Sequence, residues 1–102
     1  MNFEFERWNK NKKPDAASLR DQLQAEGYDV TEWTDAAGTV HPPHSHTEDQ
    51  THWIISGKLE FTVDGQLYVL CAGDRDFLPA NTEHAAFVPG SEPVRYLIGV
   101  KK

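Results

Sequence analysis

Apolar and polar residues alternate in short runs along most of this chain, and the runs are cut by turn-forming residues. Over Asn2–Trp8, Phe3 and Phe5 fall on one face and Glu4 and Glu6 on the other, which predicts a strand. Polar Asn9–Lys13 then leads into Pro14. From there to Glu26 good helix formers dominate, Leu19 and Leu23 stand four apart, and Gly27 supplies a C-terminal stop, so a helix is predicted over Pro14–Glu26. From Tyr28 onward the alternation has period two. Leu59, Phe61 and Val63 form one arm of a hairpin and Leu67, Val69 and Cys71 the other, with Asp64-Gly65 as the turn, because both residues tolerate positive φ. Further strands are predicted near Asp29–Thr34, Thr51–Ser56, Arg75–Leu78, His84–Val88 and Val94–Val100. Many short strands behind one helix predict a mainly β sandwich or barrel. With no repeat, low-complexity tract or linker, residues 1–102 are expected to form a single domain, with strand and helix over 1–27 and the β part over 28–102.

Composition narrows the function. At 102 residues with 38% hydrophobic and 25% charged residues, the chain has the make-up of one ordinary globular domain. Its formal charge of −6, with lysines clustered only near the two ends, provides no basic stripe for nucleic acid and disfavours anionic membranes. A small anionic ligand is compatible with this charge, because a local cation or metal can outweigh it. The single cysteine, Cys71, excludes an intrachain disulfide, and the N-terminal residues MNFEFERWNK lack an apolar signal core, so a cytoplasmic protein is expected.

The histidines carry the candidate chemistry. Four of the five lie between His41 and His52, and the fifth is His84. In an extended segment residues two apart share a face, so His44 and His46 can chelate one metal ion. Gln50 and His52 form a second such pair, in which the Gln50 carbonyl oxygen is a further donor. His84 has to arrive from a distant hairpin. Taken singly, each has an ordinary reading: solvated imidazoles in a loop rich in Pro and Thr, a structural glutamine, a satisfied core histidine beside Ala85 and Ala86. His41, before Pro42-Pro43, reads as a rim residue. Tyr28, Trp33, Trp53, Phe61 and Phe77 read as core or pocket wall, Cys71 as a small buried apolar residue, and Arg75 as the partner of Asp76 or another acid.

Spacing ties these residues together. Gly38, five residues, His44-Ser45-His46, three residues, Gln50, six residues and Gly57 resembles the first motif of the cupin family, with Gln50 where Glu is usual. Gly73, five residues, Pro79, one residue, Asn81, two residues and His84 resembles the second, with Asn81 where Gly is usual and Val88 where Asn is usual. Asn tolerates the left-handed conformation that Gly supplies. The resemblance implies a double-stranded β-helix, or jelly-roll barrel. It also implies one divalent metal ion (Zn, Fe, Mn, Ni or Co) held by His44, His46, Gln50 and His84. Glu48 is the alternative oxygen ligand. His52, facing inward with Gln50, is the candidate general base; packing in the barrel is its other reading. The function implied is a metal-dependent isomerase, lyase or dioxygenase acting on a sugar, organic acid or similar metabolite. A non-catalytic sensor or binding module competes with it. A homodimer is expected, because small cupins commonly pair and the N-terminal strand offers a sheet edge.

Overall fold

The structure, a computed structural model, describes residues 3–102. Its elements are β1 (Glu4–Glu6), α1 (Ala16–Ala25), β2 (Tyr28–Asp35), β3 (Val40–His44), β4 (Gln50–Ser56), β5 (Lys58–Val63), β6 (Gln66–Cys71), β7 (Arg75–Phe77), β8 (His84–Phe87) and β9 (Val94–Lys101). The mainly β expectation is met. The strands form a five-stranded sheet in the order β1-β7-β4-β9-β2 and a four-stranded sheet in the order β3-β8-β5-β6, and every pairing is antiparallel. The two sheets face each other as a jelly roll.

The helix is shorter than predicted at both ends because the flanking residues cap it. The Asp15 carboxylate accepts the Ser18 backbone N–H at 3.0 Å, and Glu26 is the C-cap, followed by Gly27 at φ 95°. Leu19 and Leu23 pack against Trp53, Ile55 and Leu97 on the outer face of the five-stranded sheet. Each leucine buried there contributes about 1.5–3 kcal/mol. The second cluster, with Ile54, Leu59, Phe61, Val63, Leu70, Val88, Val94 and Tyr96, fills the space between the sheets.

Strand β4 lies in the middle of this arrangement and is buried on both faces. Its odd positions Trp53 and Ile55 meet the helix, and Ile54 meets the inter-sheet core. The period of two then turns Gln50 and His52 inward with Ile54. They pair with Val100, Ile98 and Tyr96 of β9.

The hairpin β5–β6 turns through Asp64 at φ 50° and Gly65 at φ 78°, both positive as a tight two-residue turn requires. Gly57 stands at φ 83°, and a side chain there would collide with the Pro93 carbonyl.

Two expectations need adjustment, and a third is narrowed to one partner. The N-terminal strand covers only Glu4–Glu6, and Asn2 lies outside the described residues; β1 adds to β7 of its own chain. Strand β3, with Pro42 and Pro43 inside it, had no counterpart in the sequence pattern. It is an edge strand whose register against β8 shifts between His41 and His44, the setting in which a sheet tolerates proline. Arg75, expected to pair with Asp76 or another acid, pairs with Glu26 at 2.6 Å, and its guanidinium lies over Trp53 and Phe77 at 4.7 and 4.5 Å. Among the described residues no helix is long and apolar enough to cross a membrane.

Candidate functional site

The two sheets enclose a cavity of about 310 Å³. His44, His46, Gln50, His52 and His84 all line it. His44 ends β3 and His84 begins β8, directly opposite each other in the ladder. Cross-strand partners hold their Cβ atoms about 4.5–5.5 Å apart, so the two imidazoles meet. His46 lies just beyond β3, where its carbonyl accepts the Asn81 N–H at 2.6 Å. Asn81 is at φ 62°, the left-handed position expected of it. That contact ties the turn before β8 to the loop after β3. Ring centroids are 4.7 Å apart for His44–His46, 4.3 Å for His44–His84 and 5.2 Å for His46–His84. One nitrogen from each ring lies within 4.8 Å of one from the others.

Backbone carbonyls orient two of these rings. His44 Nδ1–H donates to Pro42 O at 2.7 Å and His84 Nδ1–H to Thr82 O at 2.9 Å. A neutral imidazole that donates from Nδ1 keeps its lone pair on Nε2, the tautomer a metal ligand needs. Gln50 is buried, 8% exposed, and its backbone pairs with Leu78 across β7's end. Glu48 is exposed, and its carboxylate accepts the Thr47 hydroxyl. The three convergent imidazoles therefore fit a divalent metal ion, and Gln50 lines the same cavity from the other sheet.

Desolvation lowers the pKa of His46 and His84 below the usual imidazole value, and the neighbouring imidazoles push both the same way. Folded-state pKa values below those of the unfolded chain mean that the unfolded state binds more protons in the interval between them. Stability is therefore fully present above about pH 6.5 and falls as pH drops below it. Urea titrations of metal-free protein should show this decline. The His46→Gln, His84→Gln double variant should flatten it.

The structure supplies partners for two further histidines. His52 is 6% exposed and Asp76 is fully buried. Both oxygens of Asp76 lie 3.0 Å from His52 Nδ1, and Oδ1 also accepts the His52 backbone N–H at 2.7 Å. Nδ1 is thereby committed, and Nε2 is the free nitrogen. The ring sits 4.9 Å from Phe61 and 6.2 Å from Tyr96. On the other side, Asp35 Oδ2 lies 2.8 Å from His41 Nε2 and accepts the Tyr96 hydroxyl at 2.7 Å. Burial, and next the Asp35 hydrogen bond, raise the Tyr96 pKa well above its usual value, so the phenol stays protonated. His41, read as a rim residue, also lines the cavity. The aromatic residues now separate. Trp33 and Phe61 are cavity wall, whereas Trp53 and Tyr28 belong to the cluster beneath the helix.

Residues 31–100 match the family model for the cupin domain. The chain belongs to the cupin family. This cupin is 41% identical to quercetin 2,3-dioxygenase of Bacillus subtilis (strain 168) over 51 residues, 47% of this chain and 14% of the relative, so it spans only a small part of that protein's length. A cupin protein from Bacteroides fragilis is 30% identical at a TM-score of 0.64, covering 91% of this chain and 86% of the other. A cupin 2 domain-containing protein from Halorhodospira halophila superposes with a TM-score of 0.77 over 99% of this cupin and 78% of its own chain, at 13% identity, a likeness of fold.

Proposed function

We propose that this cupin holds one divalent ion with His44, His46, His84 and Gln50, and that it is an enzyme acting on a small polar metabolite with His52 as general base. The observation that supports this most is the convergence of three imidazoles, two with Nδ1 tied to a carbonyl, onto a cavity of metabolite size. Zn, Fe, Mn, Ni or Co suits three nitrogens and one oxygen. The bound ion supplies Lewis acidity at an oxygen of the ligand.

The protein residues do the rest. The Asp76 carboxylate fixes the His52 ring through Nδ1, which leaves the Nε2 lone pair to take a proton from a ligand in the cavity. Phe61 packs against that ring and shields it from water. Proton transfer beside a polarised carbonyl is the chemistry of isomerases and lyases. A dioxygenase is the second reading, favoured by the identity to quercetin 2,3-dioxygenase. The chain is taken to work as a homodimer, which light scattering checks.

The test begins with metal analysis of untagged protein, followed by turnover of sugars and organic acids. One ion per chain is expected. His52→Asn should lower turnover about 10²–10⁴-fold, the usual worth of a positioned acid or base, with metal content unchanged. Metal lost in that variant would make His52 a ligand and displace Gln50. Ligand-induced thermal stabilisation without product would make the protein a binding module.

A further inference from the structure

The Asp35–His41–Tyr96 cluster is not used by the reading above, yet it faces the same cavity. Asp35 is 9% exposed. Its Oδ2 is shared between His41 Nε2 and the Tyr96 hydroxyl. A carboxylate so deeply placed needs its lone pairs satisfied, and a neutral phenol and an imidazole N–H do this without a fixed cation. For His41 this means that Nε2 carries a hydrogen directed at Asp35 and that the free nitrogen is Nδ1. This is the opposite tautomer to that of His44 and His84, whose Nδ1–H groups point at carbonyls. His41 thus keeps a free Nδ1 lone pair, and it stands outside the three imidazoles whose nitrogens lie within 4.8 Å of one another.

The cavity is therefore lined by two histidines that are each backed by a carboxylate behind the wall. His52–Asp76 is on the β4–β7 wall, and His41–Asp35 is where β2 meets β3. Tyr96 of β9 lies between them, hydrogen-bonded to one pair and 6.2 Å, ring to ring, from the other.

We propose that His41 is a second proton-transfer residue, working with His52 on a hydroxycarbonyl compound whose C–H and oxygen are attacked from different sides. The proposal rests on the enzymatic reading of the cavity. His52 Nε2 takes the proton from the carbon beside the carbonyl. The C–H pair becomes the new C=C bond, and the carbonyl π pair moves to oxygen, which takes the Nδ1 proton of a His41 that has first been protonated from solvent. In the second half His41 removes the proton of the neighbouring hydroxyl, its oxygen becomes the carbonyl, and His52 returns its proton to the other carbon. The compound is isomerised, both histidines end as they began, and no oxidant or reductant is needed.

Two measurements test this. Long-range ¹H–¹⁵N spectra of the zinc-loaded protein should show His41 as the Nε2–H form, unmoved by zinc. Asp35→Asn, or Tyr96→Phe if the first fails to fold, should change that signal. A Nδ1–H tautomer, or a His41 signal that moves with zinc as His84 does, overturns the assignment. The second measurement incubates metal-loaded protein in D₂O with dihydroxyacetone, D-glyceraldehyde, D-fructose and D-glucose, and follows carbon-bound deuterium and isomer formation. Wild type is expected to give both. His41→Gln should lose isomer formation by about 10²–10⁴-fold while keeping its metal and its melting temperature. Full activity in His41→Gln overturns the proposal alone. No exchange by wild type with any of the four overturns this assignment of substrate class, and if wild type also turns over no other metabolite the enzymatic reading falls with it.

Discussion

Replacing His84 with alanine should strip the protein of its metal. Loss of one partner outside the coordination shell lowers metal affinity about 10–100-fold, and loss of one of three nitrogen donors should exceed that. The site offers no ready substitute. Among the described residues only His44, His46 and His84 bring nitrogens within 4.8 Å of one another, so the free nitrogens of His52 and His41 do not stand at the site. His41→Ala is the matched control and should keep one ion per chain. Because His84 is only 3% exposed, its truncation also leaves a void, so the folded fraction should be checked by melting. His46→Ala, at a less buried position, should reproduce the metal loss with a smaller effect on stability. Equal metal content in the His84 and His41 variants would remove His84 from the ligand set.

The second large effect is expected in the opposite direction. Gln50→Glu restores the residue usual in the first motif and places a negative charge at the site. At an effective dielectric near 20, a carboxylate about 4 Å from a dipositive ion gains about 8 kcal/mol of Coulomb energy. Burying that carboxylate costs several kcal/mol, which leaves a net gain. Each tenfold in affinity requires about 1.4 kcal/mol, so chelator competition should show tightening of at least about tenfold. The metal-free variant should be less stable than wild type, because its buried charge then lacks a partner. Unchanged affinity would mean that residue 50 does not reach the ion, and Glu48 or water would take its place.

The strands, the tight turn and the metal-site candidates were legible because each leaves a local trace. Period-two alternation marks β5, and Asp64-Gly65 marks its turn into β6, where Tyr68 and Leu70 pack at the core opposite Phe61 and Leu59 while Leu67 of the predicted apolar set is exposed; the spacing of His44, His46 and His84 with the motif glycines marks the convergent imidazoles. Strand β3 left no trace, because two prolines erase the usual signature and only an edge position permits them. The partners of His52 and His41 were equally invisible. Asp76 follows Arg75 and reads as its neighbour in an ion pair. Only the β4–β7 pairing shows that the two diverge, Arg75 toward Glu26 and Asp76 toward His52. Asp35 and Tyr96 stand 61 residues apart, and their contact is a product of the β2–β9 ladder and not of any motif.

The most direct test of the metal site is anomalous diffraction from crystals of untagged protein loaded with zinc or manganese. The expected result is one peak per chain between the sheets, within coordination distance of Nε2 of His44, His46 and His84 and of Oε1 of Gln50. A peak elsewhere, no peak despite saturating metal, or an ion held by the histidines with Gln50 turned away would contradict the account.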